Sequence, residues 1–371
     1  MKKLLICTDS FLPRWDGISR FLYEVLPHIS KDYQIRVVAP KFGGKAPQIE
    51  GVEIIRVPLT KIKAADWHLP KFGSFKHQIE WADIVWTQTV GPIGGKAILS
   101  AYKKKPCMAY LHSIEWELFP KAMKKNKYKG PVRAITKALT KYLYNKCSLL
   151  LVPTLEMLEL LRKHKITTPA KTLFLGVNSQ KFLPAKNKDE AKSKIGIPRG
   201  MKVVGYCGRI GREKNIITLL RGYMRVHRKV PQTRLLLVGG GVKDFDRVIS
   251  ARGDIISVGS TDNVIPYLQA LDIYVLPSLT ETTSLSTLEA MSCGVPALTT
   301  RVGLTKEYIV ENKNGGFFQK ENSVELCSKL NSLLINDSKR KAMGVAARRT
   351  VKELFTFEKT IRDIKIILET F

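Results

Sequence analysis

The sequence predicts an α/β protein built from two doubly wound parallel-sheet domains, and three observations carry that expectation. Short apolar runs alternate with helical or loop segments along most of the chain. At 371 residues the chain is longer than one hydrophobic core ordinarily serves. Its first apolar run passes through a glycine-bearing loop into an amphipathic helix. That is the opening unit of a doubly wound sheet, whose ligand crevice lies at the strand ends.

In order, Leu4–Thr8 reads as a buried strand. A loop with Pro13, Asp16 and Gly17 follows, then a helix whose Phe21, Leu22, Val25 and Leu26 share a face. Gly17 would let a ligand come close to the backbone. Further strands are expected at Gln34–Pro40, Glu53–Pro58, Asp83–Gln88, Pro106–Leu111 and Ser148–Pro153. His112 directly follows one of them, where a residue points into the crevice. Lys181–Gly200, rich in Lys, Pro and Gly, reads as an exposed connection. The alternation then resumes at Lys202–Cys207, Arg234–Gly239, Asp254–Val258 and Asp272–Leu276. Leu235–Gly241 runs into three glycines without the spacing of a dinucleotide loop and supports the fold only. The last segment, Phe355–Phe371, carries an apolar stripe of Ile361, Ile364, Ile367 and Leu368.

Composition narrows the function. Hydrophobic residues make up 44%, ordinary for a globular protein. Six scattered cysteines without a C-x-x-C pair read as reduced core thiols of a cytosolic protein. The apolar run after Met1–Lys3 breaks at Thr8, Asp9 and Ser10, too early for a signal peptide, and no run reaches transmembrane length. The net charge of +30 is the outlier and draws such a protein to polyanions, nucleic acid or an anionic membrane. Neither zinc-finger spacing nor an RNA-binding aromatic signature supports nucleic acid.

Two stretches carry the chemistry. In Gly208-Arg-Ile-Gly-Arg-Glu-Lys-Asn the glycines allow a tight turn, and Arg209 and Lys214 can reach a diphosphate. Arginine supplies a planar fork for phosphate oxygens and lysine a mobile point charge. The second stretch is Pro277–Pro296, PSLTETTSLSTLEAMSCGVP. A helix is expected to start near Ser284, its hydroxyl accepting first-turn amides, and to stop at Gly294 and Pro296. The amides at Ser284, Leu285 and Ser286 would favour an anion such as a phosphate. Glu281 stands before this helix and Glu289 inside it. Two carboxylates beside an anion site suit neighbouring hydroxyls on the same ligand, which describes a nucleotide sugar.

Glu, seven residues, Glu, then Ala-Met-x-Cys-Gly-Val-Pro resembles the hallmark of the retaining glycosyltransferases of family 4, which include phosphatidylinositol mannosyltransferases and glycolipid-forming glucosyltransferases. Where the family often has Phe-Gly after the first Glu, this chain has Thr282, Thr283 and Ser284. The resemblance implies the GT-B fold, two Rossmann-like domains facing a central cleft. It implies an acceptor-side domain over 1–178, a donor domain over 179–354, and a final helix from about 355 to 371 packing back on the first. It further implies Glu281 on the donor sugar, Glu289 on the ribose, Arg209 and Lys214 on the diphosphate, Val258 near the base and His112 near the reacting sugar.

The expected activity is hexose transfer from a UDP- or GDP-sugar to an acceptor hydroxyl with retention of configuration. No cofactor or metal is required by any ligand cluster. The Asp244-x-Asp246 pair lies among Lys243 and Arg247 and reads as a solvated helix start. Lys121–Lys146 has nine basic residues and no acidic one: Lys121, Lys124, Lys125, Lys127, Lys129, Arg133, Lys137, Lys141 and Lys146. Beyond Pro131 it reads as a helix with Arg133, Lys137 and Lys141 on one side and Ile135, Leu139 and Tyr142 on another. A basic amphipathic helix suits an anionic membrane surface. The acceptor is therefore expected to be a lipid or lipid-linked molecule on the cytoplasmic face. A soluble glucan synthase, a GT-B epimerase and a basic nucleic-acid-binding protein are the competing readings, and oligomeric state is left open.

Overall fold

A computed structural model describes residues 1–14, 16–45, 47–64, 67–71, 75–117, 128–241 and 251–371. They form two compact units, Met1–Leu173 with Ile361–Phe371, and Phe174–Thr360.

In the first unit, parallel strands β1 (Lys2–Cys7), β2 (Tyr33–Pro40) and β3 (Val52–Val57) precede a hairpin of β4 (Leu59–Ala64) and β5 (Trp67–Pro70). Strands β6 (Ile84–Thr87), β7 (Cys107–Tyr110), β8 (Leu149–Val152) and β9 (Ala170–Thr172) follow. Seven strands make one sheet in the order β3-β2-β1-β6-β7-β8-β9. Among the described residues its helices are α1 (Gly17–Ile29), α2 (Lys76–Trp81), α3 (Pro92–Ala101), α4 (Lys129–Tyr144) and α5 (Leu155–Lys163). The central strands are buried along their length, β6, β7 and β8 entirely so, as a sheet covered on both faces requires. The order reverses between β1 and β6, which opens a crevice at their carboxyl ends.

The second unit repeats the plan. After α6 (Lys188–Ser193) come β10 (Lys202–Cys207), α7 (Ile216–His227), β11 (Thr233–Val238), β12 (Ile255–Gly259), α8 (Ile265–Ala270) and β13 (Ile273–Leu276). Then follow α9 (Leu285–Ser292), β14 (Ala297–Thr299), α10 (Thr305–Tyr308) and β15 (Gly315–Phe317), and last α11 (Ser323–Leu334) and α12 (Asp337–Leu354). The sheet order is β12-β11-β10-β13-β14-β15, so its reversal lies between β10 and β13. The two stretches singled out in the sequence therefore leave the two strands that flank this switch point.

Helix α13 (Phe357–Glu369) buries Ile361, Ile364, Ile367 and Leu368. Its residues from Ile361 on belong to the first unit, where Lys365 Nζ lies 2.6 Å from Asp32. Residues Lys181–Gly200 are mostly exposed, as expected of them, but they lie inside the second unit and are not a plain connection. They contain α6, and Lys192 is buried with its ammonium 2.8 Å from Asp272. Lysine buries its methylene stem readily once its charge finds a carboxylate, which composition does not reveal. All six cysteines are buried and free. Among the described residues no helix is long and apolar enough to cross a membrane.

Candidate active site

The β10 switch loop is built on close backbone approach. Gly208 has φ +145, and a Cβ there would meet the Tyr206 hydroxyl at 3.0 Å. Gly239 and Gly241 pack on this loop. Their Cβ positions fall 2.0 Å from the carbonyls of Gly208 and Ile210, so only glycine fits. The glycine run after β11 thus seats the loop that carries Arg209 and Lys214. Tyr206 donates to the Arg209 carbonyl at 2.8 Å, and Tyr274 to that of Cys207 at 3.2 Å. Burial first, and then the neighbouring Glu281 carboxylate, pushes the Tyr206 phenol well up, so it remains a neutral donor.

This loop and the one after β13 meet. The Lys214 ammonium lies 2.5 Å from Glu281 Oε1, which also accepts from the Ser278 hydroxyl at 2.9 Å. The Leu279 amide donates to the Glu213 carbonyl at 2.8 Å. Arg209 pairs with Glu213, four residues on, in the space left by Gly211; a Cβ there would be 2.5 Å from the Glu213 carboxylate. Arg209 is otherwise open, its side chain 67% exposed. Segment 303–308 clamps the second loop from behind. Leu304 N donates to the Thr282 carbonyl at 2.7 Å and Tyr308 to that of Thr283 at 3.3 Å, while Gly303 leaves room for both Glu281 and Thr282 carbonyls.

Ser284 departs from expectation. It precedes α9 as foreseen, but its φ of 55° and ψ of 69° are left-handed, and its hydroxyl pairs with Thr287 Oγ1 at 2.8 Å rather than capping an amide. The hydroxyl is spent on a first-turn side chain, and the N-cap residue leaves the first-turn amides without a side-chain cap. Ser286 in that turn pairs with Tyr274 at 2.9 Å. Glu289, one turn on, is 1% exposed. Val258 lies near the end of β12, where Gly259 has φ +75 and its carbonyl accepts from Gly239 N at 2.7 Å.

In the first unit His112 follows β7. Its Nε2 is 2.9 Å from Gln88 Oε1, after β6. An amide oxygen only accepts, so Nε2 carries the proton and Nδ1 keeps its lone pair. Tyr110 and Phe21 lie against the ring at 4.4 and 5.5 Å between centroids. Burial lowers its pKa from 6.5 to about 3, so the ring is neutral. Gly17 opens α1, and no atom lies within 4 Å of where its Cβ would be. Asp16 caps that helix through the amides of Ile18 and Ser19 at 3.1 and 3.0 Å. Asp9, after β1, is buried and accepts from the Thr89 hydroxyl at 2.5 Å and the amides of Ile93 and Gly94 at 2.7 and 3.2 Å. It caps α3 from a neighbouring strand.

Gln88, Asp9, Glu213 and the 303–308 clamp escape the sequence reading. Glu213 carries a readable signal, its i,i+4 spacing from Arg209. In α4 the charged row is mixed: Arg133 is exposed and pairs with Glu117, while Lys129, Lys137 and Lys141 are half-buried. Ile135, Leu139 and Tyr142 are the outward stripe, 68%, 54% and 55% exposed. Lys121, Lys124, Lys125 and Lys127, and Asp244 and Asp246, lie outside the described residues. Among the described residues no group of three or more His, Cys, Asp or Glu could hold a metal.

Comparison with known proteins bears on this arrangement. Residues 15–181 match the model "Glycosyltransferase Family 4", and residues 187–350 match "Glycosyl transferases group 1". The chain is a family 4 glycosyltransferase. Similar relatives include a GDP-mannose-dependent alpha-mannosyltransferase of Corynebacterium glutamicum, 25% identical over 95% of this chain and 85% of that protein. A GDP-mannose-dependent alpha-(1-6)-phosphatidylinositol monomannoside mannosyltransferase of Mycolicibacterium smegmatis is 24% identical over 93% and 92%. The alpha-monoglucosyldiacylglycerol synthase of Streptococcus pneumoniae is 22% identical over 78% and 69%. In fold, this glycosyltransferase resembles a sucrose-phosphate synthase of Thermosynechococcus elongatus (TM-score 0.82, 17% identity, 100% of this chain and 99% of that one). It also resembles Anabaena HepE, solved with UDP and glucose (TM-score 0.79, 16% identity, all of both chains). At these identities the structural likenesses show the fold, GT-B, with two Rossmann-like domains.

Proposed function

We propose that this glycosyltransferase moves a hexose, with retention of configuration, from a UDP- or GDP-sugar to a lipid or lipid-linked acceptor at the cytoplasmic membrane surface. The observation that carries the donor half is the switch point of the second unit, where Lys214 meets Glu281 beside the uncapped start of α9. In this reading Arg209, Lys214 and the amides of Leu285 and Ser286 receive the diphosphate. Glu281 and Glu289 accept hydroxyls of the sugar and ribose, and Val258 borders the base. The diphosphate departs, the acceptor hydroxyl attacks the same face, and the leaving phosphate takes its proton. Cations and helix amides stabilise the charge that develops on the diphosphate, electrostatic preorganisation rather than acid/base work. His112, neutral and held by Gln88, offers Nδ1 as an acceptor.

The names of the mannosyltransferase and diacylglycerol synthase relatives support a lipid acceptor. So does α4, whose exposed Ile135, Leu139 and Tyr142 suit burial in an interface on a protein of charge +30. The test is transfer from UDP- and GDP-sugars to lipid extracts, with the anomeric configuration of the product determined. An α-linked glycolipid from an α-linked donor is the expected result. An inverted product, or transfer to soluble acceptors only, contradicts the reading. Co-sedimentation with anionic vesicles should fall when Ile135 and Leu139 become Glu; equal sedimentation with neutral vesicles counts against the surface.

A further inference from the structure

A second basic site lies in the first unit, away from the β1/β6 crevice. Between α4, α5 and the segment after His112, a pocket of about 380 Å³ is lined by Trp116, Gly130, Arg133, Ala134, Lys137 and His164. At about 30 Å³ per water this is room for on the order of a dozen waters, enough for a phosphate with several further heavy atoms. Its walls differ in kind. Trp116, itself buried, meets His164 edge-on with centroids 5.5 Å apart and supplies the apolar side. Arg133 and Lys137, one turn apart on α4, supply the other. Glu117 engages Arg133, yet a guanidinium has five donors and one carboxylate does not use them all.

The field inside is positive. His164 titrates below its usual range because of burial, and then because of Lys137, Lys163 and Arg133, with Glu117 opposing them. Three cations thus bear on one imidazole against a single carboxylate. An arginine fork and a lysine point charge on one wall, with an imidazole and indole in contact on the other, match a phosphoester: charged oxygens on the first, ester stem on the second. The sequence had read Arg133 and Lys137 as membrane-facing charges. Lys137, half-buried, and Arg133, exposed and paired with Glu117, both line this pocket.

We propose that this pocket binds a phosphate mono- or diester, either the headgroup of an anionic lipid or a soluble phosphoester, at a site separate from the nucleotide. The proposal stands whether or not the transferred sugar goes to a lipid.

The test follows His164 by proton NMR titration of the full chain at low salt. The probes are inorganic phosphate, glycerol 3-phosphate, and phosphatidylcholine vesicles with and without phosphatidic acid; His164→Gln assigns the resonance. An anion in the pocket should raise the His164 pKa by about one unit. The Arg133→Ala/Lys137→Ala double variant, altered only at side chains on the pocket rim, should weaken that response about tenfold or more. It should leave UDP and GDP binding unchanged, which keeps this site's failure distinct from failure of the donor reading. A response to the soluble probes supports a free phosphoester; one confined to phosphatidic acid vesicles supports a lipid headgroup. No shift with any probe, or a shift retained in the double variant, overturns the proposal.

Discussion

The two units share a topology and differ at one equivalent point. In each, a helix follows the strand across the switch, α3 after β6 and α9 after β13. The start of α3 is already filled by a carboxylate of the protein: Asp9 takes two of its amides and the Thr89 hydroxyl. The start of α9 has no side-chain cap from its N-cap residue, and Lys214 is held by Glu281 three residues before that N-cap. A helix start favours negative charge wherever it occurs. The first unit supplies its own anion and the second leaves the place to a ligand. One architecture thus yields a helix start filled by the carboxylate of Asp9 and another with a cation, Lys214, near it.

The largest expected effect is at the open start. Lys214→Ala removes a cation held in place by Glu281 and should cost about 2–4 kcal/mol in the transition state for transfer, with weaker nucleoside diphosphate binding. Arg209→Ala should cost less, since Arg209 is more exposed and already engaged by Glu213. Wild-type kcat/KM in the lysine variant would remove it from the diphosphate.

At the closed start the loss should fall on stability instead. Asp9→Ala orphans a hydroxyl and two amides, so the urea midpoint should drop by the equivalent of about 2–3 kcal/mol. Nucleotide affinity should stay as it is; if affinity falls while stability holds, the contrast between the two starts fails.

The units also differ in how they treat carboxylates. Lys202 and Arg340 pull Asp337 of the second unit down to about 2. Glu115 of the first unit is buried, with Tyr144 donating to it at 2.5 Å, and burial raises it to about 7. Its folded pKa lies above the usual 4.5, so the stability it contributes is complete below pH 4.5 and is lost as pH rises through 7. Stability measured from pH 4.5 to 8 should decline across that window by an amount Glu115→Gln abolishes. An unchanged decline in the variant would mean that Glu115 is not its source.

The smallest effect concerns Ser284. At φ 55° a side chain is strained, and Ser284→Gly should stabilise the protein by about 0.5–1 kcal/mol while preserving transfer. A loss of stability would mean that the Ser284–Thr287 hydroxyl pair outweighs the strain.

Much of this was legible in the chain itself. Ten strands stood out as apolar runs. The central ones are covered on both faces and need no alternation, and the edge strands β3 and β12 stay apolar although only Val57 and Ile255 in them are buried. The short strands did not: β14 has three residues directly after Pro296, and β15 opens on Gly315 and Gly316, leaving little hydrophobic pattern to read. Arg209, Lys214, Glu281 and Glu289 could be named because each sits in a local run with a loop or helix signal. Gln88 and Asp9 could not, since their partners are 24 and 80 or more residues away and only the sheet order brings them together. The part-burial of Lys137, one turn from an exposed Arg133, was equally hidden, because helical spacing shows which residues share a side but not which side faces the core.

Calorimetric titration of UDP and GDP into wild type, Lys214→Ala, Glu289→Ala and His112→Ala tests the central claim most directly. With folding confirmed for each, the nucleotide should bind the first two variants about tenfold or more weakly than wild type. It should bind His112→Ala as it binds wild type, although that variant transfers poorly. Equal loss in all three, or loss confined to His112→Ala, would contradict the assignment of the donor to the open helix start of the second unit.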